Sequence, residues 1–254
     1  MKKCVQLLQY STGLAISIAS ICSADVTITA FDEFNSTALY GSWLSATIES
    51  NPTNYVITAT GYGSNYKYIG SPRINGTGAS FIQLDVTLSG PPAADGKLGP
   101  IIDLIDGDGT RYSYRWYGQN LGHRVLKMAV KSPSQVVEAG STPGLDLSNL
   151  QHLHMQLDPG GFGNSGAYTI AWNDLSFTGF PAFKITAQSY NPTTGEFSLT
   201  WNSQPGRTYS IKSSVNFAGP FTPLITGVES MGITTTATVI LPKETSGFIQ
   251  LQQE

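Results

Sequence analysis

The sequence predicts an all-β protein built as two sandwiches, a larger one followed by a smaller one. Three observations predict it. Beyond residue 24, apolar residues recur with a period of two rather than 3.6, and Gly, Pro, Asn and Asp punctuate the intervals. Charged residues make up only 12% of the 254-residue chain, while Gly (27) and Tyr (12) are abundant. That balance suits sheet proteins outside the cytosol better than helical enzymes. The formal net charge is −3, with no basic run, so the attraction that nucleic acid or an anionic membrane requires is missing.

The chain begins as an export signal would. Lys2 and Lys3 are followed by an uncharged stretch over 4–24, apolar over 14–21 and closed by the small residues Ser23 and Ala24. Residues 1–24 are therefore expected to be a signal peptide cleaved after Ala24. Gln, Ser, Thr and Gly interrupt the apolar stretch, which argues against a membrane anchor. Ile21 is too large a neighbour for lipid attachment at Cys22. Both cysteines, Cys4 and Cys22, fall in this leader. The mature chain is then expected to have no disulfide, thiolate metal site or cysteine nucleophile, to be secreted or displayed at the cell surface, and not to span a membrane.

The larger sandwich is expected over 25–180. Its strands read at 25–31, 55–59, 81–88, 101–105, 111–117, 125–130, 150–157 and 168–177, about eight strands, the size of a two-sheet jelly roll. In the third of them Ile82, Leu84, Val86 and Leu88 face a core, and Gln83, Asp85 and Thr87 face away. Residues 103–117 form a hairpin. Its turn is Asp106-Gly107-Asp108-Gly109, where both glycines are expected to supply a positive φ. On its second strand Tyr112, Tyr114 and Trp116 share one face, and Arg111, Ser113, Arg115 and Tyr117 the other. The smaller sandwich is expected over 181–254, with strands at 183–189, 196–201, 208–213, 217–225, 234–240 and 247–252.

Two stretches resemble known families. Asp106-Gly107-Asp108-Gly109-Thr110, Tyr114-Arg115-Trp116-Tyr117-Gly118, Pro143 to Ser148 and the closing Tyr168 to Phe177 resemble the galactose-binding-like jelly rolls of secreted bacterial proteins. That superfamily includes many carbohydrate-binding modules. The resemblance implies a glycan ligand and, between the first and last strands, a structural Ca²⁺. The positions matching the calcium site are Asp32 or Glu33 and Asp174. Leu199 to Ser214, with Gly232 to Thr236 further on, resembles a small fibronectin-like C-terminal sandwich of exported proteins from environmental bacteria. It implies a spacer, attachment or sorting module.

Residue chemistry supplies the candidate site. Rings stack on the C–H faces of sugars, and guanidinium groups hold hydroxyls or carboxylates with planar donors. Arg111, Arg115, Tyr117 and Trp116 are thus candidate glycan ligands, with Arg111, Arg115 and Tyr117 favoured if the even-numbered rings are core. His152 and His154 lie at i and i+2 and project from one strand face. Asp158 stands where a metal-binding barrel would want a Glu, and no later His follows, so a groove role alongside Gln156, Gln83 and Asp85 is the better reading. Asp103, Asp106 and Asp108 lack the spacing of a calcium loop and fit a turn. A carboxylate pair such as Asp85 with Asp103 or Asp106 is conceivable, but nothing in the spacing selects it. The Gly-rich stretch over 160–166 reads as a mobile loop between strands rather than a nucleotide cradle.

These observations lead to an exported, non-catalytic protein that binds a polysaccharide or glycan on its larger sandwich. Two alternatives remain open: a structural or adhesive surface protein contacting cell-surface or matrix proteins, and a polysaccharide-degrading jelly roll.

Overall fold

The structure, a computed structural model, describes residues 5–11, 14–18, 25–30, 46–50, 53–59, 63–68, 74–90, 99–158, 167–241 and 246–254. It is all β. The first thirteen strands are β1 (Val5–Ser11), β2 (Leu14–Ile18), β3 (Val26–Ala30), β4 (Ala46–Ser50), β5 (Tyr55–Ala59), β6 (Gly63–Tyr68), β7 (Phe81–Ser89), β8 (Gly99–Asp106), β9 (Arg111–Arg115), β10 (Gly122–Ala129), β11 (Gln135–Glu138), β12 (Leu150–Asp158) and β13 (Tyr168–Thr178). Six more follow: β14 (Ile185–Asn191), β15 (Glu196–Asn202), β16 (Thr208–Ser214), β17 (Thr222–Glu229), β18 (Thr234–Ile240) and β19 (Ser246–Gln253). Among the described residues no helix is long and apolar enough to cross a membrane.

The chain divides into two compact units, one formed by Asp25–Thr178 and the other by Gly179–Glu254 with the N-terminal segment. The larger unit holds two antiparallel sheets. One has the order β10-β7-β13-β5-β4, with β3 also on β13, and the other the order β11-β9-β8-β12-β6. Each turns one apolar face inward. Ile82, Leu84, Val86 and Leu88 of β7 are 0–1% exposed, and Ile170, Trp172, Leu175 and Phe177 of β13 are fully buried beside them. The second sheet contributes Ile102, Leu104, Tyr114, Leu153, Met155 and Leu157, all fully buried. Tyr114 extends the core to the loop after β10, where its hydroxyl donates to the Val130 carbonyl at 2.9 Å. Burial pushes that phenol above its ordinary pKa.

The β8–β9 hairpin forms, but its turn works differently from the expectation. Gly109 has a φ of +91°, whereas Gly107 is not in the left-handed region. A Cβ at Gly107 would instead meet the end of the Asn149 side chain, 2.2 Å away, which would have to turn aside. The acidic residues of the turn are occupied. Asp106, buried, accepts from the backbone N–H groups of Asp108 (3.1 Å), Thr110 (3.0 Å) and Asp146 (2.8 Å). Asp108 accepts from the Thr142 hydroxyl and N–H (2.6 and 2.8 Å) and from Thr110 (2.7 Å). Those donors, led by Thr142, hold the Asp108 carboxyl far below the usual range. These carboxylates therefore staple the hairpin to the 140–146 loop, which fixes where β8 and β9 present their side chains.

The smaller unit also has two sheets, β14-β15-β18 and β17-β16-β19-β1-β2. Its core includes Phe183, Phe197, Leu199, Trp201, Tyr209, Ile211, Ile249 and Leu251. Phe183 stacks on Tyr209 at 5.7 Å between ring centroids, and Trp201 meets Tyr209 edge-on at 5.4 Å. The sequence over 1–24, expected to be a cleaved leader, contributes β1 here. Val5 to Ser11 pair residue for residue with Gln252 to Ser246 of β19. Leu8 is fully buried in the core cluster, and the buried Gln6 donates to the Phe183 carbonyl at 2.8 Å. Alternation explains the fit, since Gln6 and Leu8 point inward from one face of the strand.

Candidate functional site

The outward face of the second sheet of the larger unit carries the polar cluster. Strand register arranges it in rows. Arg115, Ile101 and Gln156 align across β9, β8 and β12; Ser113, Asp103 and His154 form the next row; Arg111, Ile105 and His152 form the third. On the flanks β11 places Gln135 opposite Ser113, and Glu138 opposite Arg111. On the other side β6 puts Ser64, Tyr66 and Tyr68 in register with Gln156, His154 and His152.

Asp103 is the centre. Strand β8 runs through the middle of the sheet and is buried on both faces, with Ile102 and Leu104 inward and Ile101 and Asp103 outward. The Asp103 side chain is only 3% exposed. A buried carboxylate is tolerable only with charge-assisted partners. Asp103 Oδ2 accepts from Arg111 Nε at 3.0 Å, from Arg111 Nη2, and from Gln156 Nε2 at 3.3 Å. Its other oxygen, Oδ1, is buried with no hydrogen-bond partner among the described residues.

His154 completes the cluster. Its Nδ1 lies 3.2 Å from Arg111 Nη2 and 4.0 Å from Asp103 Oδ2. A guanidinium only donates, so Nδ1 accepts and the ring is neutral, with its proton on Nε2. Burial first, then the Arg111 charge, push the His154 pKa down to about 4; Asp103 opposes this and His152 adds to it. Burial also lowers His152. The sign of the resulting pH dependence is set. The folded state favours neutral His154, so its contribution is complete above the unfolded value near 6.5. It is lost as pH falls from there through about 4, up to about 3 kcal/mol in all. Urea unfolding at pH 7.5, 6, 5 and 4.5 should show that loss, and His154→Gln should flatten it. An equally steep fall in the variant would place the acid sensitivity elsewhere.

The other expected site residues are distributed as follows. Arg115 is half-buried on the same face and donates from Nε to Ser113 Oγ at 3.0 Å. Trp116 is 6% exposed and belongs to the core, so its ring has no face to offer a ligand; this corrects its place among the candidate ligands. Tyr117, 42% exposed just beyond β9, is the accessible ring of the hairpin. Gln83 and Asp85 do not join the histidines. They lie on β7 in the other sheet, where Asp85 bonds His123 Nε2 and Asn173 Nδ2, both at 2.8 Å. Asp85 and Asp103 thus face out from opposite sides of the sandwich and cannot form a catalytic pair.

The expected calcium positions Asp32 and Glu33 lie outside the described residues. Asp174 has one buried oxygen without a partner. Its pKa is raised by burial and by the nearby Asp85 and Asp25. Among the described residues no three His, Cys, Asp or Glu gather closely enough to hold a metal ion.

The sequence pointed to Arg111 and to His154 with Gln156, but not to Asp103 as the group that joins them. The available signal was a single carboxylate inside the apolar run Ile101-Ile102-Asp103-Leu104-Ile105.

No protein-family model matches this chain, and no curated protein matches it. Solved structures similar to it are carbohydrate-binding module and glycoside hydrolase domains with β-sandwich folds. One is a family 11 carbohydrate-binding module from Clostridium thermocellum, in complex with a β-1,3-1,4-mixed-linked tetrasaccharide (16% identity, 62% of this chain and 98% of that one, TM-score 0.44). Another is an agarase (11% identity, 64% of this chain and 25% of that one, TM-score 0.41). A third is a β-1,2-glucanase from Parabacteroides distasonis (14% identity, 94% of this chain and 32% of that one, TM-score 0.32). The chain thus spans a quarter to a third of those two enzymes. At these levels the likeness carries no ligand or residue role over to this chain.

Proposed function

We propose that this protein binds a glycan on the outward face of β9, β8 and β12 without cleaving it. The observation that carries the reading is the pre-ordered cluster of Asp103, Arg111, His154 and Gln156, set in a sheet face whose opposite side is core. Asp103 orders the guanidinium and the imidazole ahead of any ligand, which lowers the ordering cost of a contact made by them. Fixed donors on a rigid sheet suit the recognition of sugar hydroxyls. Arg111, Arg115, His152, His154 and Gln156 would supply the hydrogen bonds, and Tyr117 a ring at the edge.

Binding rather than hydrolysis is the reading because the central carboxylate is committed to Arg111 and Gln156. Glycosidases need two carboxyl groups free to act as acid and base or nucleophile. We further read residues 1–24 as an export leader, the protein as extracellular, and the smaller unit as a spacer or attachment module.

Affinity electrophoresis through gels containing neutral and acidic polysaccharides tests this reading. Retardation by at least one polymer is expected, with binding roughly tenfold weaker in Arg111→Met, the loss of one charge-assisted contact, and no new reducing ends released. Failure of the folded protein to bind any polymer would overturn the glycan reading. Release of reducing ends would overturn the non-catalytic one.

A further inference from the structure

The two arginines of the face are not equivalent. Arg111 is neutralised where it stands, with Nε and Nη2 both committed to Asp103. Arg115 forms no ion pair among the described residues. Its Nε is occupied by Ser113 Oγ, which orients the guanidinium and leaves both terminal nitrogens for another acceptor. The acidic residues in register with this face are three. Asp103 is already engaged, Glu138 is exposed on the edge strand opposite Arg111, at the far end of the rows from Arg115, and Asp158 of β12 lies opposite Gly99, one row beyond the Arg115 row. The two histidines are disfavoured as cations by burial. Among the described side chains, the Arg115 end of the face therefore carries one positive charge with no ion-pair partner, on a chain whose net charge is −3.

We propose that Arg115 reads an oxyanion of the ligand, the carboxylate of a uronic acid or a sulfate ester, so that the face prefers an acidic polysaccharide over a neutral one. This rests on the glycan reading above and names its substrate class. A guanidinium presents parallel donors that match a carboxylate or sulfate in two-point contact, stronger than hydrogen bonds to neutral hydroxyls. Holding Nε on Ser113 removes part of the ordering cost of that contact. Attraction of this kind weakens as salt rises.

The test uses the full chain and matched polymers: polygalacturonate against its carboxyl-reduced form, and a sulfated galactan against its desulfated form. The expected result is roughly tenfold tighter binding to one acidic member of a pair, diminished by 0.5 M NaCl. In Arg115→Gln the acidic-to-neutral ratio should collapse to about one, the loss of one charge-assisted contact. Which pair shows the ratio tells carboxylate from sulfate. Arg115→Lys, which keeps charge but not the two-point fork, should recover only part of it. Thermal melting confirms that each variant is folded. Equal binding of acidic and neutral members, or a ratio unchanged in Arg115→Gln, would overturn this inference and leave the glycan reading standing. Absence of binding to all four polymers would overturn both.

Discussion

A chain beginning at Asp25 will have a less stable smaller unit than the full-length protein, by on the order of 5 kcal/mol. Removal of 1–24 takes away β1, which supplies seven register pairs to β19, the buried Leu8 and the Gln6 bond to Phe183. Vacating a fully buried Leu position costs about 2–5 kcal/mol by itself. Loss of the ladder adds to this, because each hydrogen bond is worth about 1 kcal/mol net. The β19 edge also becomes a row of unpaired backbone groups, which invites another strand. Differential scanning calorimetry of the two forms should show one transition, that of the smaller unit, move down in the shorter chain, and size-exclusion runs at rising concentration should show it self-associate. Leu8→Ala in the full chain should reproduce part of the shift. Identical melting of the two forms would mean that β1 adds nothing and that the smaller sandwich is complete from Gly179 onward. The result bears directly on export. A leader cleaved after Ala24 would leave the mature protein with this edge open.

How much was legible in the sequence follows from the range of the interaction concerned. Alternation is local, so Ile82, Leu84, Val86 and Leu88 of β7 were readable as core, and β5 and β18 have the expected boundaries at 55–59 and 234–240. The hairpin was readable because Asp-Gly turns are encoded in four residues. Even there, Gly107 was credited with a positive φ that it does not have; what lies against it is the side chain of Asn149, from a segment some forty residues away. Strands β6 and β11 were not seen. Gly63–Tyr68 is polar throughout its first half, and the four residues of Gln135–Glu138 are too few to show a period. The partners of Arg111 were invisible for a different reason. Asp103, His154 and Gln156 meet only because β8 pairs with β12 in one register, and a slip by a single residue would send them to the core face. Pairing of β7 with β10 and β13 puts Asp85 in the other sheet, although the sequence left it free to join the histidines.

The second large effect is expected at Asp103. Its replacement by alanine should destabilise the larger unit by about 2–3 kcal/mol. Removing one partner of a buried pair leaves the other charge uncompensated, here Arg111 at 22% side-chain exposure, at a cost of about 3–5 kcal/mol. Part of that is recovered because the orphaned Oδ1 leaves with the carboxylate. Urea unfolding monitored at Trp172 and Trp116 emission should register the change. Glycan binding should fall in parallel, since Arg111 loses the group that orients it. Loss of both properties is what any disrupted core would give, so the decisive variant is the double one. Asp103→Leu with Arg111→Met replaces the pair by apolar groups of similar size, and such exchanges are often neutral or stabilising. The double variant should regain most of the lost stability and still bind roughly tenfold more weakly than the native protein. That outcome would mean the ion pair is retained for recognition, at some expense to stability. If the double variant binds as tightly as the native protein, the cluster is a structural plug in the sheet and the ligand lies elsewhere. If Asp103→Ala unfolds at the native urea midpoint, Arg111 is solvated well enough to need no partner, and the pre-ordered guanidinium on which the glycan reading depends is lost.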